Sequence, residues 1–280
     1  MRSRLNPLTR RRLQNFRSNQ RGWWSLWIFL VLFFISLFAE FVANDKPLVV
    51  AYRGEIYMPI FKAYPETVFG GEFLTEADYR SPYVAELINR EGWMIWPPIQ
   101  YHHQTVAWDL PTAAPSAPDR EHWLGTDDQA RDVLARAIYG FRISVLFGFA
   151  LTLVSAVIGV SAGAAQGYFG GWTDLLAQRF IEVWSGLPTL YLLIILASIV
   201  EPNFWWLLGL LLLFSWMGFV GVVRAEFLRG RNFEYVRAAQ ALGVSNKNII
   251  FRHLLPNAMV ATITFIPFTL AGSVTVLTSL

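Results

Sequence analysis

RAEFLRGRNFEYVRAAQALGVSNKNIIFRHLLPN, residues 224–257, stands between two apolar runs at 204–223 and 258–280, and carries six basic residues against Glu226 and Glu234. A run of about 20 apolar residues can cross the hydrocarbon layer of a membrane. The stretch therefore reads as a loop between two spans, and its basic excess predicts a cytoplasmic one. Its punctuation predicts internal structure. Asn232 can cap a helix over 233–242 and Gly243 can end it; Ser245 can cap a second over 246–255, which Pro256 can stop. Ala238, Ala239 and Ala241 keep the first helix slim, so a partner's groove can close tightly around the turn.

The rest of the chain fits that frame. Of 280 residues, 54% are hydrophobic and 15% charged, well under the roughly 25% charge of soluble domains. The mean hydropathy is +0.38. Five runs are apolar enough to span: 23–42, 143–165, 181–200, 204–223 and 258–280. The first 22 residues hold seven arginines and no acid, so they too are predicted cytoplasmic, and four spans between these two segments give the even count that this requires. The first run is longer than a signal-peptide core of about 7–15 residues, and no A-x-A sequence follows, so it reads as an uncleaved anchor. The last run reaches Leu280 without a polar flank, which gives the expectation of at least one further span beyond it. Trp23, Trp24, Trp27, Trp205 and Trp206 fit interfacial anchoring.

Residues 43–123 form a long extracytoplasmic insertion in this reading, net acidic and rich in proline and aromatics. Residues 48–52 and 56–58 flank Arg53-Gly54-Glu55 as a hairpin, 83–89 reads as a helix after Ser81-Pro82, and 111–118 reads as a loop. The adjacent His102 and His103 cannot face one metal from a helix or a strand, so no metal site is assigned. From Gly125 a helical pattern opens, with Thr126 or Asp127 as its cap and an amphipathic face suited to the membrane surface.

Within the apolar runs, Ser155, Gly159, Gly163 and Gly167 recur every fourth residue, a ridge that lets a second helix approach closely. Pro188 predicts a kink or break. Glu182, Ser185, Gly186 and Pro188 either line a translocation pathway or form a static kink. Pro267 is expected to act similarly in the last run. No ionisable group lies deep in a span, which argues against a transporter driven by proton or ion relays. The chain contains no cysteine, which removes thiolate chemistry, and no serine, aspartate and histidine set converges at membrane depth. Two helices joined at a glycine also describe a DNA-binding pair, but spans tether both ends, so no nucleic acid partner is assigned.

Arg237-Ala238-Ala239, Gly243 and Leu255-Pro256 resemble, in spacing, the E-A-A-x3-G-x9-I-x-L-P loop of ABC-importer permeases. Arg237 stands in place of the family glutamate and His253 in place of its isoleucine. His122-Trp-Leu-Gly-Thr-Asp-Asp128, Arg131-Asp132-Val133-Leu134 and Arg142-Ile143-Ser144 resemble the dipeptide/oligopeptide branch, with Ala130 where that family usually has glycine. Ala43-Asn-Asp-Lys-Pro-Leu48 and Arg179-Phe-Ile-Glu-Val-Trp-Ser-Gly186 resemble one subset of these permeases. The resemblance, over roughly residues 122–280, implies an all-α polytopic membrane protein with an ABC type I importer permease fold in 124–280, to which the hairpin pattern read above adds a small, irregular, partly β extracytoplasmic insertion. It further implies a second permease subunit, an ABC ATPase with two nucleotide-binding domains docking at 232–256, and an extracytoplasmic peptide-binding protein. With membrane lipid, those are the expected partners. The chain has no G-x-x-x-x-G-K-[ST] sequence, so it cannot supply the nucleotide site; the expectation is a permease subunit that is not itself an enzyme and has no cofactor of its own, with ATP and Mg held by the partner ATPase. The alternative class is a self-sufficient channel or intramembrane enzyme.

Overall fold

The computed structural model describes residues 7–200 and 203–279, and they are mostly helical. Among the described residues, four helical stretches are long and apolar enough to cross a membrane: Gln20–Leu37, Val133–Phe169, Phe204–Gly230 and Asn246–Leu277. The chain divides into two compact units, Met1–Ile143 and Ser144–Leu280.

In the first unit, α1 (Pro7–Ser18) ends at Asn19, whose side chain accepts the Gly22 N–H and opens α2 (Gln20–Leu37). The first apolar run is not one helix to its end: Phe38 leaves helical geometry, and α3 (Ala39–Val42) follows as a separate turn. The hairpin forms where the alternation places it, β1 (Val49–Tyr52) against β2 (Glu55–Tyr57), with Val50 opposite Tyr57 and Tyr52 opposite Glu55. Arg53 and Gly54 both take positive φ, 52° and 84°, as a two-residue hairpin turn matched to strand twist requires. α4 (Pro82–Glu91) begins on its proline and runs straight into β3 (Gly92–Ile95), which pairs antiparallel with the other side of β1. A Cβ at Gly92 would run into the Ala51 carbonyl, so only glycine lets the strand close up there. Tyr52, Tyr57, Tyr64 and Tyr79 meet Phe69 edge-on at 5.4–6.5 Å. Part of the insertion's aromatic content is thus its core, while Phe61, Phe73, Trp93 and Trp108 stay exposed.

In the second unit, α5 (Val133–Phe169) continues from the first and is followed by α6 (Gly171–Ser185), α7 (Thr189–Ile199), α8 (Phe204–Ser215) and α9 (Met217–Gly230). The third apolar run is therefore two helices broken at 186–188, as Pro188 predicts, and neither is long enough to span alone. After α10 (Glu234–Ala241), α11 (Asn246–Asn248) passes through a π-helical stretch, Ile249–Leu254, into α12 (Leu255–Ser279). Pro256 does not stop this helix. A wider turn accommodates a ring that brings no N–H and would clash with the carbonyl one α-turn back, and the Leu255 N–H reaches the Ile250 carbonyl. Nor does Pro267 break α12. Along that helix the hydroxyls of Thr262, Thr264, Thr269, Ser273 and Thr275 each donate to a carbonyl four residues back, so that none of these five hydroxyl hydrogens is left bare towards an apolar medium.

Candidate functional site

The 232–256 loop folds back onto its own spans. Val236 and Ala239, one turn apart on α10, enter a core with Ala164 and Tyr168 of α5, Val223 and Phe227 of α9, Ile249, Leu254 and Ala258. The opposite face of α10 carries Arg237, Ala238, Gln240 and Ala241, all exposed, and Leu242 beyond its end is 84% exposed. Gly243 ends α10 in the left-handed region at φ 76°. There Gly243 N–H donates to Gln240 O and Val244 N–H to Ala239 O, both 3.0 Å, the paired bonds of a glycine-terminated helix. Asn232 does not cap α10. It falls one residue early, in the turn that closes α9, and its amide donates to Leu228 O (3.0 Å) while Phe233 takes the cap position without a side-chain bond. Ser245 opens the next helix through its carbonyl, which accepts the Ile249 N–H, rather than through its hydroxyl. Of the two residues that leave the family pattern, Arg237 is exposed and reaches Asn232 Oδ1 at 3.4 Å. His253 lies half-buried 6.3 Å from the Tyr235 ring. Leu255 packs half-buried on the core and Pro256 is exposed.

One bond ties the loop itself to a span, and two further attachments tie together the helices that carry it. Tyr168 at the end of α5 donates its hydroxyl to Asn246 Oδ1 at 2.7 Å. Arg224 of α9 holds Asp174 of α6 through two bonds, Nε to Oδ1 and an Nη to Oδ2, at 2.5 and 2.6 Å. The third is the small-residue ridge. Ser155 bonds Ser215 through their hydroxyls. A Cβ built on Gly159 would meet Phe219 Cβ at 2.7 Å, on Gly163 Val220 O at 2.8 Å and Val223 Cβ at 2.9 Å, and on Gly167 Phe227 Cβ at 2.5 Å and Arg224 O at 2.6 Å. Three turns of α5 thus lie in backbone contact with α9, the helix that delivers the loop, and with the Trp216 carbonyl just before it; a side-chain bond at Ser155 adds the end of α8.

At the break in the third run, α6 ends with Gly186 N–H on Glu182 O and Leu187 N–H on Trp184 O, both 3.2 Å, and Pro188 opens α7. Glu182 accepts from Arg179 at 2.6 Å on an exposed surface, and the Ser185 hydroxyl bonds Glu182 O at 3.2 Å. The backbone groups at the break are therefore largely reused locally. Trp184 ties this break to α8 by donating to Leu213 O at 2.9 Å.

In the first unit, the turn before α5 differs from expectation. The cap is neither Thr126 nor Asp127 but Asp132, whose Oδ1 accepts the Ala135 N–H at 2.7 Å. Asp127 instead closes a loop, accepting the N–H groups of Gln129 and Arg131 at 2.9 Å. Burial raises the Asp127 pKa, but those bonds and the Arg131 guanidinium outweigh it and hold the carboxyl below its ordinary range. The amphipathic stretch is the first part of α5 rather than a separate surface helix. The second oxygen of Asp132 meets His122 Nδ1 at 2.9 Å with both side chains buried, a pair ten residues apart that no local pattern announces. Ala130 holds φ 57°, a conformation costly for any residue with a Cβ. His102 and His103 pack on the ring of Tyr139 at 4.8 and 4.6 Å, and burial holds both imidazoles below the ordinary histidine range. Among the described residues no group of three or more His, Asp or Glu is placed to hold a metal.

A slim helix exposed on one face, ended by a left-handed glycine, set between two apolar helices and packed on a third, places the chain in the class of helical membrane proteins with a structured loop between their spans. Residues 155–280 match the family described as binding-protein-dependent transport system inner membrane component, and residues 8–59 match the N-terminal TM domain of oligopeptide transport permease C. The chain is 60% identical to the peptidoglycan transport system permease protein YejE of Agrobacterium fabrum, covering 98% of this chain and 78% of that protein. It is 59% identical to the inner membrane ABC transporter permease protein YejE of Escherichia coli, covering 99% and 82%. The oligopeptide transport system permease protein OppC of Haemophilus influenzae is 35% identical over 57% of this chain and 51% of its own. The chain belongs to the binding-protein-dependent transport system inner membrane component family, the permease subunits of ABC importers.

Proposed function

We propose that this permease forms half of the pathway of an ATP-driven importer of peptides or peptide-like solutes, with its N-terminus and its 232–256 loop on the cytoplasmic side and with α6 and α7 crossing together as one broken span, so that four spans separate the two. The observation that carries the reading is the two-faced α10. Val236 and Ala239 are locked into the core with α5 and α9, while Arg237, Ala238, Gln240, Ala241 and Leu242 are free for a partner. A force applied to that outer face passes to α9 through Phe227 and to α12 through Leu254 and Ala258, all members of the same buried cluster. The partner is an ATPase with two nucleotide-binding domains, which supplies the ATP and Mg chemistry. Moving a two-state equilibrium from 1:99 to 99:1 takes about 5.5 kcal/mol, so a loop passing that much needs a rigid seat. A second permease subunit completes the pathway beside α6 and α7, whose Phe180, Val183, Tyr191 and Ile199 are exposed. An extracytoplasmic binding protein delivers the solute on the insertion side. The peptide class is supported by relatives whose names specify oligopeptide, dipeptide and peptidoglycan transport.

The test is Gly243→Pro. Proline fixes φ near −65° where the backbone stands at 76°, and removes the N–H given to Gln240 O. Peptide uptake and solute-stimulated ATP hydrolysis are expected to be lost while the subunit still inserts into the membrane. Normal uptake by this variant overturns the reading.

A further inference from the structure

The arginine-rich start of the chain does more than set orientation. Arg10, Arg11, Arg12 and Arg17 lie on α1, Arg21 opens α2, and no acid precedes Glu40. Among the described residues none of these five makes an ion pair, and residues 9–21 are exposed. Apolar Leu13 and Phe16 are exposed among them, at 51% and 38%. A solvated 12-residue helix is marginal by itself, and a run of like charges that repel one another worsens it, so a surface that neutralises the charge is what this sequence suits.

The location of that surface is set by α2. Trp23 and Trp27 pack edge-on at 5.7 Å, and with Trp24 they stand at the start of the apolar α2, where such rings favour headgroup depth. The link from α1 is short and fixed. Phe16 meets Trp23 edge-on at 5.9 Å, and the Arg17 guanidinium lies 5.9 Å from the centre of that same ring. Asn19 interrupts the helix with ψ 83°, so α1 is not a straight continuation of the span into water. An unneutralised basic helix tethered at headgroup depth, with two apolar side chains of its own, fits an anionic lipid surface.

We propose that α1 lies along the membrane surface and binds the phosphates of anionic phospholipids through Arg10, Arg11, Arg12 and Arg17, with Leu13 and Phe16 seated among the acyl chains. Each arginine near such a surface strengthens the association by about fivefold, and the binding weakens as salt shortens the reach of the charges.

Because the chain contains no cysteine, Leu13→Cys gives one labelling site. The labelled full chain is placed in nanodiscs of phosphatidylcholine alone, or with a third phosphatidylglycerol, and the label's accessibility to a neutral aqueous quencher is read. Protection in the phosphatidylglycerol discs, lost at about 0.5 M salt and absent in phosphatidylcholine, is expected. Replacing Arg10, Arg11 and Arg12 by Gln is expected to remove most of it. Equal exposure in both discs overturns the proposal, and so does protection that appears only when the ATPase is added, whatever the lipid. The salt series on the labelled chain keeps the test decisive should the triple variant fail to insert.

Discussion

Gly163→Ala tests the seat on which the loop depends. The added Cβ would stand 2.8 Å from Val220 O and 2.9 Å from Val223 Cβ, where ordinary contact begins at 3.4 Å. Two atoms of a packed helix face, one of them backbone, must shift by about half an ångström, and overpacking of this kind costs roughly 1–3 kcal/mol. Alanine also gains about 0.5–1 kcal/mol over glycine inside a helix, which would mask part of that loss. Gly140→Ala on the same α5 removes the ambiguity, because a Cβ there meets nothing within 4 Å among the described residues. Subtracting one variant from the other cancels propensity and reads the contact, about 1–3 kcal/mol. The assay is reversible unfolding in mixed micelles titrated with a denaturing detergent, followed by helicity. Gly140→Ala is expected to move the midpoint up slightly and Gly163→Ala down. Equal shifts would refute the backbone contact between α5 and α9.

Ala130→Gly is expected to stabilise the first unit by roughly 1–2 kcal/mol by relieving a left-handed alanine, read as slower proteolysis of the insertion in the full chain. Asp132→Ala should do the reverse by roughly 2–4 kcal/mol, because it removes the α5 cap and strands a buried imidazole. Asp132→Asn, which can still accept the Ala135 N–H, should lose less; identical losses would mean that the cap contributes little.

Much of this arrangement is legible from residues alone, and the boundary follows the range of the interaction. Gly243 and the Arg53-Gly54 turn are readable because a positive φ is a local demand that few residues meet. Pro188 is readable because a missing N–H in an apolar run has nowhere to hide. The Ser155–Gly167 ridge announces that a helix comes close, but not which one; α8 and α9 follow only from packing. Asn232 misleads because an amide can close the helix before it as well as open the one after it. Pro256 misleads because a proline's cost depends on whether the helix can widen around it, which the neighbours decide. β3 escapes notice because no turn residue separates it from α4, and its only signal is a partner strand forty residues earlier. The His122–Asp132 pair is invisible for the same reason: its meaning exists only once the loop between them is folded.

The central claim is that the exposed face of α10 is where the ATPase bears on this subunit. In the cysteine-free chain, Leu242→Cys places one thiol at that face, and Trp108→Cys places one on the insertion, where Trp108 is 91% exposed. Treating the assembled importer with a short bifunctional maleimide should join Leu242→Cys to the ATPase, with a yield that changes when ATP is bound, and should leave Trp108→Cys unjoined to it. An importer that hydrolyses ATP and takes up solute, yet yields no ATPase adduct at Leu242→Cys in either nucleotide state, would contradict the account.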